Sequence, residues 1–581
     1  MEIAFPARTE ADWRKAATAA LKGAGLEKLA SVTADGLGLG PLHAGVTGPR
    51  ALRGAPGPWK AIARLDHPSA DDFNAQARED LGAGAEGLNI VFAGSGAAYG
   101  FGLARADSAS LHRAFAGVAF DRGHAFRLEL GDAAQAESFA ALVERSGAEP
   151  CVVDVAFGLD PLGARARGAQ GAGALKAQVA TLAARGFGGP FAAADARIVH
   201  DAGGTPAQEL AFALSAGVAY LRTLEAPAQI EFRLAADADQ FATLAKFRAM
   251  RLLWGRVEQA CGLEPAPIRL AASSAWRMMT AAEPFVNVMR AALAAFAAGL
   301  GGADSVVLLP FSQALGLPDA FARRLARNTQ LVELREARLG FVADPAAGAG
   351  GFETLTAGLC DKAWALFQSF EGAGGLAQAL ERGVVQQALA SSAAALQRDV
   401  ARAKAPLTGV SAHPHLDADA IAVLPDAAAP FPAGAFRPIR LSQPFEDLRE
   451  RARAKAPRLF LAAIGPLAAH TRRLGFAREV FEAGGVATVA GAGAEDAGAL
   501  AQAFRDSGAG LACLCGTDEA YAQHAEAFAA ALKGAGAGAV YLAGRPGERE
   551  AAWRAAGVDG FVYAGVDLVA ALDEALRRAG A

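Results

Sequence analysis

The stretch "RLFLAAIGPLAAHTRRLGFAREVFEAGGVATVA" at residues 458–490 decides the fold class of the C-terminal part of the chain. It begins with an apolar strand, turns into an amphipathic helix that stops at Gly484 and Gly485, and ends on a second apolar strand. Five such strand–helix units follow one another to the C-terminus. This pattern predicts a parallel sheet with helices on both faces, an α/β flavodoxin-like (Rossmann-type) domain over residues 456–581.

The loop after the first strand of this domain should hold a ligand, and its one titratable group is His470. His470 is either a partly exposed histidine near the helix start or a metal ligand. A ligating histidine normally leans on a carboxylate or carbonyl, and the nearest acid, Glu479, lies more than two turns away, which favours the first interpretation. Cys513 and Cys515 on the third strand are predicted to have alternate facing, so we expect core thiols that share no metal.

The region before this domain shows another alternation of strands and helices. Eight candidate strands over residues 51–385 predict a (β/α)8 TIM barrel with its active site at the carboxyl ends of the strands. Residues 1–50 form an N-terminal arm, and the proline-rich residues 386–455 are predicted as a mostly extended linker that wraps one domain on the other. The candidate strands are GLNIVFAG from Gly87, AFRLELG from Ala125, CVVDVAFG from Cys151, ARIVHDAG from Ala196, QIEFRLAAD from Gln229, IRLAASSA from Ile268, SVVLLPFSQ from Ser305 and LGFVAD from Leu339.

The barrel offers few candidates for chemistry. His200 and Asp201 are neighbours on the predicted fourth strand, where they would face opposite sides, so a structural pair is favoured over a catalytic one. Polar groups at other predicted strand ends are two serines in LAASSAW, Ser312 and Gln313.

Two further motifs lie outside the predicted strands. The loop GSGAAYG at residues 94–100 resembles a dinucleotide loop, but its GxGxxxG spacing is one residue too long, so a cofactor there is not favoured. His413 and His415, with Asp417 nearby, could form a surface metal clip, although a solvated pair of linker histidines is favoured.

Composition excludes several classes of protein. The chain has 581 residues, of which 53% are hydrophobic and 20% charged, and a net charge of -4 without a long basic stripe, which argues against nucleic-acid binding. Its apolar tracts fall short of the roughly 20 residues that a membrane span needs. The N-terminus lacks the apolar core of a signal peptide, and five scattered cysteines make no disulfide framework, so we expect a cytoplasmic protein.

Several stretches have the character of family motifs. They are KFRAMRLLW at 246–254, EPFVNVMRAALAAFAAGLGGADSV at 283–306, ALGLPDAFARRLARNTQL at 314–331, VADPAAGAGGFETLT at 342–356, DPLG at 160–163, PFEDLR at 444–449 and the weaker TADGLGLGPL near the start. On these stretches the chain resembles, over nearly its whole length, the methylmalonyl-CoA mutase family, adenosylcobalamin-dependent carbon-skeleton isomerases. The resemblance implies a CoA-threaded (β/α)8 barrel followed by a cobalamin-binding domain.

The cobalamin loop departs from the family pattern. In catalytic members this loop is G-x-D-G-H-D-x-G, and its histidine ligates cobalt. Here Gly465 is kept, but Leu467 stands for the first aspartate and Ala469 for the histidine. His470 stands one position late, and Arg472 replaces the last glycine. One residue of slip turns a helical side chain by about 100°, so the loop is predicted to have lost its cobalt ligand.

The barrel departs from the family in the same direction. Residues 269–276 lack the histidine and glutamine of the family's R-T-H-S-Q-T-S-G segment, and residues 303–309 replace T-Q-S-L-H-T-N with mostly apolar side chains. Arg335 replaces an acid expected near the adenosyl ribose, and His200 lies two positions from the catalytic histidine. No tyrosine remains in PGPWKAIARLD, from Pro56. We therefore expect inert side chains to fill both pockets while the framework persists.

These losses are similar to those of a small, non-catalytic subunit. The sequence predicts no catalytic residue, no cofactor-binding residue and no metal ligand in this chain, with His470 as the alternative cofactor-binding residue. Adenosylcobalamin is expected on a catalytic large subunit, the heterodimeric partner, with the acyl-CoA bound through that partner. Two alternatives stay open: a self-sufficient acyl-CoA mutase that uses His470 as a displaced cobalt ligand, and a scaffold partner of another cobalamin enzyme.

Overall fold

The computed structural model of the chain describes residues 8–46, 57–169, 174–431 and 433–581. It contains two parallel sheets, each covered by helices, and a small antiparallel pair of strands, Ser31–Val32 and Gly38–Leu39, in the N-terminal arm. Within these residues, every helix is too short or too polar to cross a membrane.

The first sheet has eight parallel strands and is nearly closed. Its strands are β1 Lys60–Leu65, β2 Gly87–Val91, β3 Ala125–Glu129, β4 Asp154–Ala156, β5 Ala192–Asp195, β6 Ile230–Ala236, β7 Arg269–Ser274 and β8 Ser305–Val307. Their hydrogen-bonded order is β4-β3-β2-β1-β8-β7-β6-β5. The gap between β4 and β5 is bridged beyond the end of β4, where the Leu159 amide donates to Phe191 O and the Ala193 amide donates to Leu159 O, each at 2.9 Å. The architecture is that of a (β/α)8 barrel.

Two of the eight predicted strands are wrong, and two strands were missed. ARIVHDAG is helical, since Arg197–Asp201 forms one short helix, and the fifth strand is the alanine-rich Ala192–Asp195 just before it. LGFVAD contains a 3₁₀ turn, Leu339–Phe341, instead of a strand. The barrel closes through Lys60–Leu65, which pairs with both Gly87–Val91 and Ser305–Val307.

Helices cover the barrel and bury a continuous apolar layer. β2, β3 and β6 are buried along their whole length, and the indoles of Trp59 and Trp254 are fully buried beneath the surrounding helices. Strands buried on both faces are expected in a parallel sheet with a filled interior. The helices up to the end of this unit are α1 Glu10–Ala20, α2 Ala70–Gly82, α3 Ser108–Ala114, α4 Ala134–Ser146, α5 Pro161–Ala166, α6 Leu175–Ala184, α7 Arg197–Asp201, α8 Pro206–Leu224, α9 Gln240–Ala260, α10 Val286–Leu300, α11 Ala320–Leu331, α12 Gly350–Gly372, α13 Leu376–Glu381 and α14 Val384–Ala401.

The second sheet has five parallel strands, β9 Arg458–Ala463, β10 Ala487–Ala490, β11 Leu511–Cys515, β12 Ala539–Ala543 and β13 Gly560–Val562. Their order is β10-β9-β11-β12-β13, so the first strand of this unit lies between the second and third. Alternate residues of β9 enter different clusters: Leu459 and Leu461 pack on one face, and Phe460 and Ala462 on the other. The helices are α15 Gln443–Arg453, α16 Leu467–Ala483, α17 Ala497–Ser507, α18 Asp518–Gly534, α19 Glu550–Ala555 and α20 Leu568–Arg578.

The segment between the sheets is helical at both ends, through α14 and α15, so the prediction of a mostly extended linker is wrong at these ends. The described residues between them, 402–431 and 433–442, contain no helix or strand. Contacts of Glu446 fasten α15 to the barrel, since its carboxylate accepts the Ala281 amide at 2.7 Å and the Ala282 amide at 3.2 Å. The linker also crosses the carboxyl ends of the barrel strands, where the Ala429 amide donates to Gly100 O.

Candidate functional site

Charged side chains fill the axis of the barrel. They stand two residues apart on the strands, as in Arg127 and Glu129 on β3 and Glu231 and Arg233 on β6. Residues two apart on a strand face the same side, and here that side is the interior, because Arg127 Nε lies 3.1 Å from Glu231 Oε1 across the barrel. We call the set the axial network; it comprises Lys60, Arg127, Glu129, Asp154, Asp195, Arg197, Glu231, Arg233 and Arg269.

Arg197 forms the part of the network nearest the carboxyl ends. It is the first residue of α7, and its guanidinium donates to both oxygens of Glu129 at 2.7 and 2.9 Å and to both oxygens of Asp195 at 2.5 and 2.8 Å. Ser273 Oγ accepts a further hydrogen bond at 3.0 Å. Burial opposes ionisation of Glu129, but the Arg197 and Arg233 guanidiniums outweigh it and keep the pKa of Glu129 below its ordinary value.

Asp154 organises the opposite, amino-terminal end. Its carboxylate accepts hydrogen bonds from Lys60 at 2.7 Å, Arg127 at 3.2 Å and Arg269 at 3.3 Å, three cations on β1, β3 and β7. Burial works against ionisation, yet these cations lower the pKa of Asp154 to about 2. Ion pairs therefore extend along the barrel from one end to the other. The expectation of inert side chains in the barrel pocket is wrong for this axis, which is filled with matched charges.

His200 belongs to a separate buried cluster. It lies on α7 and not on a strand, with 1% of its surface exposed. Its Nε2 lies 3.0 Å from Asp237 Oδ2 and its Nδ1 3.3 Å from Glu209 Oε2. Lys246 pairs with Glu209 at 2.5 Å, and burial of Glu209 is outweighed mainly by that cation, so the pKa of Glu209 is lowered. Both imidazole nitrogens therefore face carboxylates, and the ring lies on a helix instead of the predicted strand; the structural role of His200 stays a prediction.

Asp201 turns away from His200 and toward a buried tyrosine. The Tyr99 hydroxyl donates to Asp201 Oδ2 at 2.6 Å. The Tyr99 ring stacks on Trp276 with centroids 4.7 Å apart and an interplanar angle of 8°, and Arg64 lies over its other side. Tyr99 comes from the loop GSGAAYG, so this loop contributes to the carboxyl end of the barrel, a position that the spacing of its glycines did not predict.

In the candidate ligand loop between β9 and α16, the histidine packs against backbone. His470 is the fourth residue of α16 and 4% exposed, and its Nδ1 lies 3.2 Å from Gly465 O. A β-carbon placed on Gly493 would lie 3.1 Å from His470 Cε1, so the ring packs against the neighbouring loop. Leu467, in contrast, is 74% exposed. The prediction of a partly exposed histidine is wrong, because the ring is buried against backbone.

Two side chains fill the carboxyl edge between β9, β11 and β12. The Tyr521 hydroxyl donates to Leu514 O at 3.0 Å or Ala543 O at 2.9 Å and accepts the Gly516 amide at 3.0 Å. Arg473 lies over the Tyr521 ring, 4.9 Å from its centroid, and donates to Gly516 O at 2.9 Å. A ligand that entered this edge would have to displace both side chains.

The predicted thiols and linker histidines form no shared site. Cys513 and Cys515 both pack in the same cluster on one face of the sheet, so the predicted alternate facing is wrong; they are nevertheless buried core thiols. His413 Nδ1 lies 3.2 Å from Glu479 and His415 Nδ1 lies 3.0 Å from Glu283, so the two rings are held by different carboxylates. Across the described ranges, no group of three or more His, Cys, Asp or Glu side chains is arranged to hold a metal ion.

Comparison with known proteins identifies the family. The sequence family described as methylmalonyl-CoA mutase matches residues 194–428. The chain is 38% identical to the methylmalonyl-CoA mutase small subunit of Streptomyces virginiae, over 99% of this chain and 97% of that protein. It is 37% identical to the small subunit of Propionibacterium freudenreichii subsp. shermanii, over 66% of this chain and 62% of that protein. The methylmalonyl-CoA mutase of Rhizobium meliloti is 34% identical over 37% of this chain and 32% of its own length. The chain belongs to the methylmalonyl-CoA mutase family.

Proposed function

We propose that the chain is the small, non-catalytic subunit of an adenosylcobalamin-dependent methylmalonyl-CoA mutase. A catalytic large subunit would carry the cofactor and the acyl-CoA, and the heterodimer would interconvert methylmalonyl-CoA and succinyl-CoA by a radical rearrangement of the carbon skeleton. In this proposal residues 1–50 are an arm, residues 51–385 the acyl-CoA mutase-like barrel and residues 386–455 the linker. Residues 456–581 form a flavodoxin-like domain, as the strand order supports.

The axial network is the observation that carries the proposal. The resemblance implies that a catalytic barrel is threaded by CoA. A CoA molecule placed along this axis would have to separate buried ion pairs. Breaking one buried pair costs about 3–5 kcal/mol because an uncompensated charge stays in a poorly solvated place. Glu129 and Arg233 are 5% and 4% exposed, so water does not relieve that cost. The barrel therefore serves as a framework.

The residues of the second sheet do not fit a cobalamin. A corrin ligand would need an accessible imidazole, but His470 is only 4% exposed and its ring packs against the neighbouring loop at Gly493. A nucleotide tail would need space at the carboxyl edge, which Tyr521 and Arg473 occupy. This misfit supports a cofactor that resides on the partner.

Purification of the chain alone and together with the large subunit tests the proposal. We expect the isolated chain to show neither cobalamin absorbance nor conversion of methylmalonyl-CoA, and the mixture to form a heterodimer that is active. Stoichiometric cobalamin on the isolated chain would contradict the proposal, and so would a failure of the two subunits to assemble.

Substitution of His470 separates the proposal from a self-sufficient mutase. His470→Ala should leave the turnover of the complex unchanged, with Leu467→Ala on the exposed side of the same loop as the matched control. Loss of turnover in His470→Ala alone would favour a displaced cobalt ligand. Tight assembly with a cobalamin enzyme of different activity, and none with the mutase subunit, would favour the scaffold alternative.

A further inference from the structure

A cavity of about 660 Å³ lies off the barrel axis, at the carboxyl ends of the strands. Its walls come from the loop GSGAAYG after β2, from α5 after β4, from α7 after β5 and from linker residues within 427–431 and 433–438. This is the face on which (β/α)8 barrels bind ligands. The volume lies within the range of about 300–1,000 Å³ that is usual for small-molecule sites.

Two buried polar atoms in the wall lack protein partners. Ser95 is 8% exposed, and its Oγ makes no hydrogen bond to any residue that the structure describes. Asp201 is 3% exposed; its Oδ2 accepts the Tyr99 hydroxyl, while its Oδ1 has no partner in the same described residues. A buried polar atom without a partner costs about 1–3 kcal/mol. Both residues line the cavity, so a small rotation of either side chain toward a ligand that carries a hydrogen-bond donor would relieve that cost.

The remaining lining combines apolar surface with cations. Ile198, Phe101 and Phe436 supply buried apolar contacts. Arg437 is exposed, and its side chain forms no ion pair with residues in the described ranges. Arg167 is half-buried and lies over Gly96, where a β-carbon would come within 2.7 Å of its Nη1. On its other side the positive charge of Arg167 interacts with the carboxylates of Asp160 and Asp195, so Arg437 is the less compensated cation.

We propose that this cavity binds a small amphipathic anion, a molecule with an apolar body, at least one N–H or O–H donor and one acidic group. The donor would reach Asp201 and Ser95, the apolar body would lie against Phe101 and Phe436, and the acidic group would face Arg437. The site is separate from the axial network and from the edge of the second sheet. It does not rest on the proposed subunit role, because the cavity lies within this chain.

The probe 8-anilinonaphthalene-1-sulfonate has all three features and reports binding by its fluorescence. We expect one saturable site per chain, displaced by 3-hydroxyoctanoate at lower concentration than by octanoate, which lacks the hydroxyl donor. Inorganic phosphate at the same concentrations should not displace the probe. No saturable binding would overturn the proposal, and displacement by phosphate alone would overturn the amphipathic character of the ligand.

Three variants assign the probe to this cavity. Ala166→Phe should fill it and abolish binding, whereas Ala183→Phe, on an exposed face of α6, should not. Asp201→Asn, which exchanges an acceptor for a donor, should weaken binding by about tenfold or more.

Arg437→Ala should weaken binding by several-fold, while Arg145→Ala, at a distant exposed position, should leave it unchanged. Arg437 is exposed, so its variant should fold even where a substitution in the wall does not, and circular dichroism checks this. Unchanged binding in Arg437→Ala and in the folded wall variants would overturn the assignment.

Discussion

Replacement of Arg197 by methionine tests how the barrel axis is held. Arg197 is the shared cation of Glu129 and Asp195, and five of its hydrogen bonds go to these two carboxylates and to Ser273. Methionine keeps much of the apolar stem and removes the charge. Two buried carboxylates then lose their nearest cation.

The expected loss is large because the charges left behind are buried. Breaking a buried pair costs about 3–5 kcal/mol in the free energy of unfolding. With about 2.1 cal/mol/K of unfolding entropy per residue, a unit of about 335 residues loses about 1.4 °C of thermal midpoint for each kcal/mol, so the barrel transition should fall by about 4–7 °C at pH 7.5. Arg185→Met is the matched control: Arg185 pairs with the exposed carboxylate of Glu144, and such pairs contribute about 0–1 kcal/mol.

The stability lost in Arg197→Met should depend on pH. Burial of Glu129 and of Asp195 is outweighed mainly by Arg197, so the pKa of each carboxyl is lowered in the folded protein. A lowered pKa stabilises the fold above the unfolded-state pKa of about 4, and that contribution is lost as pH falls. In Arg197→Met the carboxyls lose their main cation, so the difference from the parent protein should be largest at pH 7–8 and shrink toward pH 5.

Differential scanning calorimetry from pH 5 to pH 8 measures this difference, with the barrel transition assigned by the fluorescence of buried Trp59 and Trp254. Adding Glu129→Gln and Asp195→Asn to Arg197→Met should recover much of the midpoint. A shift below 2 °C at pH 7.5, or a shift that does not depend on pH, would refute the account of the network.

Three further outcomes follow from the packing. Gly217→Ala places a β-carbon 2.7 Å from the Phe232 ring and should lower the barrel's free energy of unfolding by about 1–3 kcal/mol. Gly82→Ala, which has open space at its β-carbon, should not lower it. Equal thermal midpoints of the two variants in calorimetry would contradict this. Tyr521→Phe should destabilise the second unit by about 1–3 kcal/mol in urea unfolding, and no change there would show that the edge is not held by this hydroxyl. Burial raises the pKa of Asp160 to about 6, a destabilising contribution that develops as pH rises from the unfolded-state value of about 4 and is complete above about 6. Asp160→Asn should therefore gain stability relative to the parent protein between pH 4 and pH 6.5 and show a constant gain at higher pH; a difference that does not change between pH 4 and pH 6.5 would contradict this.

Apolar periodicity predicted most strands, and the exceptions have physical causes. β5 has the sequence AAAD, without the β-branched residues that favour strands, and the following RIVHD has them but forms α7. Tertiary context outweighs intrinsic preference at such places. β1 escaped prediction because Lys60 and Arg64 interrupt its apolar pattern, although both side chains point into the barrel.

The axial network was accessible from sequence in part. The pairs Arg127/Glu129 and Glu231/Arg233 repeat a charge at the strand period of two, a signal for one charged face on each strand. The partners themselves, such as Arg197 with Glu129, lie far apart in the chain and depend on barrel closure. The cavity beside GSGAAYG was not predictable, because linker residues form one of its walls.

Cobalamin binding by the isolated chain tests the central claim most directly. The purified chain is dialysed to equilibrium against adenosylcobalamin in the dark, and the bound corrin is measured by its visible absorbance. The occupied edge around Tyr521 and the buried His470 predict no stoichiometric binding. One corrin retained per chain, and lost on His470→Ala, would contradict the account.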